Sequence, residues 1–344
     1  MKLSEIIHKN LPFVIYKKPR SGKLSVIQQQ TAELLMDQSL TTQGFYFAPY
    51  DFETHPAVVF PDKINKEQNF FIREFADDGI FLFDSKINQD SAQEEHQKKV
   101  AQAIDYISRG DLKKVIISRK QRFDYREFDI FSAVLKLMQT YENSFVYLWH
   151  HPAVGTWMGA TPELLGKYQF PYFTTVALAG TLPVKPDEPV VWQNKEIEEQ
   201  KIVTDYIVNT IKQINSSVKA GLPKTVFQGN LAHIQTELQA KIAPDKAKEL
   251  IRKLHPTPAV CGLPVKKARN LIGKIEEYDR KYYTGFLGKI DNNTMEMYVN
   301  LRCMEIFNNF FEIYVGGGIV KNSIPDKEWK ETCIKTKVLL SVFK

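Results

Sequence analysis

Toward its C-terminus the chain runs from an apolar, strand-like stretch (Phe311, Glu312, Ile313, Tyr314, Val315) into three glycines, a Ser/Asn turn, and a segment opened by Pro325 and Asp326. Proline and an acid at those places suit the first turn of a helix. A period of 3.6 then aligns Glu328, Glu331 and Lys335, and the line continues into Val338, Leu339 and Val342, the apolar stripe that faces a core. Charge on a buried stripe is costly unless it is paired or used. The fold must therefore supply partners for two carboxylates and an ammonium, beside a glycine run that lets other groups come close to the backbone.

A second predicted helix, over 192–214, repeats the pattern. Glu196 and Glu199 stand three apart, and their line continues through Val203, Tyr206, Ile207 and Thr210, while Glu198, Lys201 and Asp205 take the solvent face. One acidic i, i+3 pair is ordinarily a solvated face; two, each on a buried stripe, are harder to dismiss. If the pairs converge, like charges ~4 Å apart repel by roughly 4 kcal/mol at an effective dielectric near 20. The sequence has no Cys/His cluster, so the expected counter-ion is a hard, oxygen-seeking cation, Mg²⁺, shared with an anionic substrate.

The chain's 344 residues are enough for one large domain or two smaller ones. An apolar content of 43% and a charged content of 25% are those of an ordinary soluble globule. No apolar run approaches the ~20 residues of a membrane span, and the start lacks a signal-peptide core. Cys261, Cys303 and Cys333 stand far apart, which argues against disulfides and a zinc knuckle and for a reducing cytoplasm. The net charge of +6 comes from scattered residues, which disfavours nucleic acid and suits a small anion.

Residues 1–90 read as sheet scaffold, with short strands at 13–16, 44–47 and 57–60. A helix over 90–107 leads to a strand over 113–119, whose alternation puts Lys114, Ile116 and Ser118 on one face. A lysine at the mouth of a buried strand is desolvated, which disfavours its charge and suits it to act as a general base. After a helix over 129–142 and a strand over 144–149, Glu163 sits in a tight turn between apolar segments, where a carboxyl has a raised pKa and can serve as an acid or cap backbone N–H groups. A strand over 174–181 ends in small residues and Thr181, and a Pro-punctuated loop follows at 183–189. His255 opens a proline-paced turn, and an isolated histidine there is read first as structural. Segments 280–288 and 295–304 look like a strand pair, with Arg302 on the second. A guanidinium in an apolar strand needs an anion, either a substrate carboxylate or a structural partner. The chain has no G-x-x-x-x-G-K-[ST], H-E-x-x-H or G-x-S-x-G pattern, and Gly316-x-Gly318 lacks the third glycine of a dinucleotide fingerprint.

Taken together these residues resemble the chorismate-utilising enzymes, the family of isochorismate, salicylate, anthranilate and aminodeoxychorismate synthases. The resemblance runs from about residue 95 onward. It rests on Lys114-Val-Ile-Ile-Ser-Arg119, Gly159-Ala-Thr-Pro-Glu163, Leu178-Ala-Gly-Thr181, Lys195-Glu196-x-x-Glu199, the His255 turn, Tyr283-x-Gly285, Leu301-Arg302, Gly316-Gly-Gly-Ile319 and Glu328-x-x-Glu331-x-x-x-Lys335, in family order. Lys114 stands where amine-forming anthranilate synthases carry Gln, which implies water as the nucleophile. Ala179 replaces the nucleophilic lysine of aminodeoxychorismate synthases, and the His255 turn is similar to that of isochorismate synthases. Gln200 departs from the histidine that many members carry after the metal-binding glutamate.

The resemblance implies an α+β fold: a large α/β sandwich of stacked, mainly antiparallel sheets with outer helices. Residues 1–90 would belong to the same domain as a chorismate-binding catalytic region at 91–344. It implies an isomerase that turns chorismate into isochorismate with Mg²⁺, for menaquinone or siderophore synthesis. The alternatives are salicylate formation by further loss of pyruvate, or non-catalytic chorismate binding. Glu199 and Glu331 would hold the ion, with Glu196 and Glu328 on its waters. Arg302 and Tyr283 would hold the pyruvyl carboxylate. Lys335, Thr181 and the Gly316 and Gly318 N–H groups would help seat the carboxylates, and His255 would lie beside the ring. Lys114 would be the base and Glu163 the acid. A monomer without a glutamine amidotransferase partner is expected.

Overall fold

The computed structural model describes every residue except 1, 6, 8, 9, 76–78, 86–88, 185–188, 216, 229, 230 and 344. Two antiparallel sheets make its frame. The first runs in the order Gly262–Leu263, Lys114–Phe128, Phe310–Ile319, Cys303–Ile306, Gly155–Thr161, Phe145–His151, Phe13–Lys17, Lys23–Gln28, Glu67–Phe71. The second runs Lys219–Ala220, Leu231–Lys241, Tyr172–Pro183, Leu164–Gln169, Thr294–Val299, Phe286–Ile290, Gly44–Ala48, Val58–Pro61. Segments from the first 90 residues thus enter both sheets. The facing surfaces meet in an aromatic interior that includes Tyr16, Phe47, Trp149, Trp157, Tyr282 and Tyr298, where Phe47 stacks on Trp149 and Tyr282 at 4.5 Å each.

Among the described residues six helices cover the outside: α1 (Gln89–Ser108), α2 (Ile130–Thr140), α3 (Asn194–Lys212), α4 (Pro244–Leu254), α5 (Val265–Ile275) and α6 (Pro325–Leu340). α2 buries Phe131, Val134, Leu135 and Met138 against the first sheet, and Asp129 caps it by accepting from the N–H groups of Phe131 and Ser132. α3 and α4 cover the second sheet with Val203, Ile207, Leu250 and Ile251. α1 and α5 lie over Val115, Ile117 and Ile319, the face of the Lys114–Phe128 strand opposite Lys114 and Ile116. Among the described residues no helix is long and apolar enough to cross a membrane.

The chain passes between the sheets at two short crossings that matter later. Pro162 and Glu163 carry it from Gly155–Thr161 to Leu164–Gln169, and residues 300–302 carry it from Thr294–Val299 to Cys303–Ile306. The expected strand over 295–304 is therefore two strands in different sheets. Arg302 lies in the crossing, with a left-handed backbone (φ 49°) that its residue type does not announce. The crossings are laced together: Val299 N–H donates to Glu163 O (2.9 Å), Ala160 N–H to Arg302 O (3.1 Å), and Thr161 Oγ1 to Val299 O (2.6 Å).

Candidate active site

A cavity of about 860 Å³ of empty space, partly open to solvent, lies where the sheets part. Its walls are Gly316, Gly317 and Gly318 from one sheet, Leu178 to Thr181 and His233 from the other, both crossings, and the inner faces of α3 and α6. A wider outer cavity shares Thr181 and Glu331 with it and adds Lys195, Glu196 and Glu328.

The two acidic pairs are brought to this place, each carboxylate with its own partner. Glu199 Oε1 is 2.8 Å from Lys114 Nζ, Glu328 Oε1 is 2.6 Å from Lys195 Nζ, and Glu331 Oε1 is 2.8 Å from Lys335 Nζ. Lys335 also donates to Gly316 O (2.8 Å). The Lys114 and Lys335 cations, with Lys195, hold the Glu199 carboxyl below its usual range against strong burial; burial and the neighbouring Glu331 push Glu328 up. Glu196 is turned back, accepting from Gln193 N–H (3.2 Å) at the start of α3. Gln200 donates to Thr204 and Thr236 and not to Glu199.

The glycines are what let these groups meet. A Cβ on Gly318 would run into Glu199 Oε1 and approach Lys114 Cε to 3.1 Å; one on Gly317 would stand 3.3 Å from Glu328 Oε2 and 3.9 Å from Glu331 Oε1. The ladder to Cys303–Ile306 ends at Tyr314, so the glycine run keeps strand pairing on one side only, to Lys114–Phe128. Among the described residues no three acidic, Cys or His side chains form a ready metal cluster. The donors nonetheless suit a hard cation: they are all carboxylate oxygens, Glu328 Oε2 is buried without a hydrogen-bond partner, and the glycine cradle leaves room above the backbone.

Lys114 is fully buried, just behind the cavity wall and reaching it through Glu199. Glu163 lines the cavity from the first crossing. Burial pushes its pKa up to about 7, opposed by the Lys114, Lys335 and Arg302 cations. Arg302 enters from the second crossing. Its Nη2 donates to His233 Nε2 (3.0 Å), its Nη1 is buried with no partner, and among the described residues no carboxylate comes within ion-pair distance. Burial lowers its pKa to about 10. Tyr283 also lines the cavity.

His233 is a site residue that sequence reasoning missed. It lies opposite Thr181 in the ladder, with Nδ1 3.2 Å from both Gly180 O and Thr181 Oγ1. Burial and the Arg302 charge lower its pKa to about 3, so the ring is neutral; with Nε2 accepting from Arg302, the proton sits on Nδ1. His255, expected beside the ring, is not brought to the cavity. Its Nε2–H points at the Pro49 and Tyr50 carbonyls (3.1 and 3.2 Å), and it packs edge-on against Phe286.

Comparison with known proteins places this geometry in context. The sequence model described as chorismate binding enzyme matches residues 63–344. Isochorismate synthase EntC of Escherichia coli K12 is 29% identical over 260 residues, 72% of this chain and 66% of that protein. Isochorismate synthase MenF of Haemophilus influenzae is 28% identical over 255 residues, 71% of this chain and 59% of that protein. The match thus spans slightly less than two thirds of these relatives' lengths. Among solved structures, a putative 2,3-dihydroxybenzoate-specific isochorismate synthase, DhbC, from Bacillus anthracis superposes with a TM-score of 0.83 at 24% identity, covering 98% of this chain and 97% of that one. Anthranilate synthase component I from Streptococcus pneumoniae gives 0.70 at 19% identity, covering 97% and 92%. At these identities the structural likeness is one of fold, and it is the stacked-sheet sandwich expected from the sequence.

Proposed function

The chain belongs to the chorismate binding enzyme family, and from that premise we propose that it isomerises chorismate to isochorismate. The observation that carries the reading is Arg302: a half-buried guanidinium with a free, buried Nη1 and, among the described residues, no carboxylate within ion-pair distance, facing a cavity walled by an acid whose pKa is near neutral. Such a group asks for a carboxylate ligand, and the fork of the guanidinium matches one.

In the proposed reaction Arg302, oriented by His233, and Tyr283 hold the pyruvyl carboxylate. Lys335 and Thr181 close the other side. Water adds at C2 and gives a proton to Lys114, which must act as the free amine and so gives up its ionic pairing with Glu199 before the step. Glu163 protonates the C4 hydroxyl, which leaves as water while the ring double bonds shift. One water enters and one departs, so the change is an isomerisation. Glu199 and Glu331 would hold Mg²⁺, with Glu328 and, once it leaves its capping role, Glu196 on its waters. The ion supplies positive charge for the ring carboxylate and offsets the acidic helix faces. With water as nucleophile no glutamine amidotransferase partner is needed. Every group named comes from one chain, so a monomer suffices.

Separation of products after incubation with chorismate and Mg²⁺ tests the reaction: isochorismate without pyruvate is expected. Stoichiometric pyruvate, read by coupled lactate dehydrogenase, would replace it with salicylate formation; no turnover with tight chorismate binding would leave a binding protein. Excess EDTA should abolish turnover and Mg²⁺ restore it, and Mg²⁺ should bind the free protein by calorimetry. Full activity in EDTA would remove the ion from the scheme.

The acid carries its own pH signature. Glu163 works protonated, so kcat/KM should fall as pH rises through about 7. Its folded pKa lies above the ordinary 4.5, so the stability it contributes is full below that value and is lost as pH rises through about 7. Glu163→Gln should lower kcat at least ~10²-fold and flatten the pH dependence of Tm. An unaltered Tm profile would argue that another group titrates.

A further inference from the structure

A second cavity lies on the far side of the substrate cavity's wall, between α1, the Lys114–Phe128 strand and the segment after α5. It holds about 710 Å³ of empty space, partly open to solvent, bordered by His96, Lys99, Arg119, Lys120 and Tyr278 among others. None of the residues placed in the proposed reaction lines it.

Its inner end is unbalanced. Arg119 is half-buried. Its Nε donates to Thr332 Oγ1 (2.8 Å), Nη1 to Gln121 Oε1 (3.2 Å) and Nη2 to Cys333 Sγ (3.7 Å), and its plane lies over the Trp329 ring at 4.3 Å. Among the described residues no carboxylate comes within ion-pair distance of it. A guanidinium has five N–H groups, so at least two remain free. His96, on the adjacent turn of α1, is 2% exposed, and neither ring nitrogen has a hydrogen-bond partner.

The carboxylates nearby are committed elsewhere. Glu95 and Glu277 both pair with Lys99 (2.6 and 3.5 Å) and stand mostly in water at the rim. Glu276 is taken by Arg280 (2.5 Å) and by the N–H and hydroxyl of Ser118. Lys120 pairs with Glu312 (2.8 Å). What remains at the inner end is one cation without an anion and one imidazole without a partner. Unpaired buried polar groups are rare in native folds, and each asks for an explanation.

We infer that this cavity is a binding site for a small carboxylate, held by the free N–H groups of Arg119 with the neutral imidazole of His96 as the second contact. A carboxylate matches the guanidinium's fork, and a turn of the His96 ring about its Cβ–Cγ bond would bring a nitrogen to the ligand. The site is mechanically close to the chemistry. Arg119 grips Thr332 on α6, the residue after Glu331, and Ser118 in the shared wall lies beneath Gly316, where a Cβ would stand 3.0 Å from that of Ser118.

Long-range ¹H–¹⁵N spectra of the imidazole rings in the full chain test this, with His96 assigned by its loss in His96→Asn. Sodium lactate is titrated against sodium chloride of equal ionic strength. The expected result is a saturable shift of the His96 ring signals with lactate alone, at least about tenfold weaker in Arg119→Gln and unchanged in Arg302→Gln. If Arg119→Gln does not fold, Arg119→Lys, which keeps the charge but not the fork, must show the weakening instead. No saturable shift, the same shift with chloride, a shift that survives loss of the Arg119 fork, or one that is lost in Arg302→Gln would overturn the site. The readout needs no turnover of chorismate, so its failure and that of the proposed reaction are separable.

Discussion

Lys114→Ala is expected to lower kcat on chorismate at least ~10²-fold while leaving chorismate binding within a few-fold of the parent. The lysine lies behind the cavity wall on the strand face shared with Ile116, and the glycine run across from it leaves the space its chain needs. The substitution has a second consequence. Glu199 loses its 2.8 Å partner and is left buried, a change that typically costs about 3–5 kcal/mol when nothing replaces the cation. Part of that loss should therefore be recovered by Mg²⁺, which the proposal assigns to Glu199. Measuring kcat, chorismate affinity and Tm with and without Mg²⁺ separates the two effects. Turnover within threefold of the parent would remove Lys114 as the base.

Arg302→Gln is expected to raise KM by roughly 30-fold or more, because truncating one side of a buried, hydrogen-bonded charge pair costs about 2–5 kcal/mol. In the free protein the same change should leave Tm unaltered or higher. Among the described residues the guanidinium there hydrogen-bonds only to His233, and no carboxylate comes within ion-pair distance to offset its burial. Opposite signs for binding and stability are the mark of a residue kept for its ligand. Arg302→Lys should not rescue binding, since an ammonium lacks the planar fork. A KM within threefold of the parent, or a Tm that drops sharply, would return Arg302 to a structural role.

The sequence made the helical part of the site legible because a 3.6-residue period is local. Glu196, Glu199, Glu328, Glu331 and Lys335 could be placed on buried stripes without knowing what lay opposite. The lysines that reach Glu199 and Glu328 could not, since Lys114 and Lys195 come from other elements whose packing is set by both sheets. His233 escapes sequence reasoning because nothing in the composition of Leu231–Lys241 says which strand it pairs with or which sheet it joins. The usable signal was a polar residue between Ala232 and Ile234, in a stretch that is buried throughout before burial begins to alternate at Gln235. Arg302 was found but placed on a strand. Nothing in an arginine announces a left-handed backbone, and only the break at Asn300 and Leu301 hinted at a crossing. His255 was drawn toward the cavity by its resemblance to a family turn, whereas the carbonyls of Pro49 and Tyr50, some 200 residues away, decide where its ring points. The stacked-sheet fold itself came from the resemblance; strand signals alone do not say which strands pair.

The hydrogen bonds that tie the two crossings together have a bearing on how such an enzyme can change. The proposed proton donor and carboxylate clamp, Glu163 and Arg302, are mounted on adjoining seams of one woven frame, each seam pinned by the other's main chain. Adding or deleting a single residue in either would slide one relative to the other by about 3.3 Å and turn the neighbouring strand's faces over. New substrates must then be reached by exchanging side chains around a fixed spacing, never by adjusting the lengths of these two links.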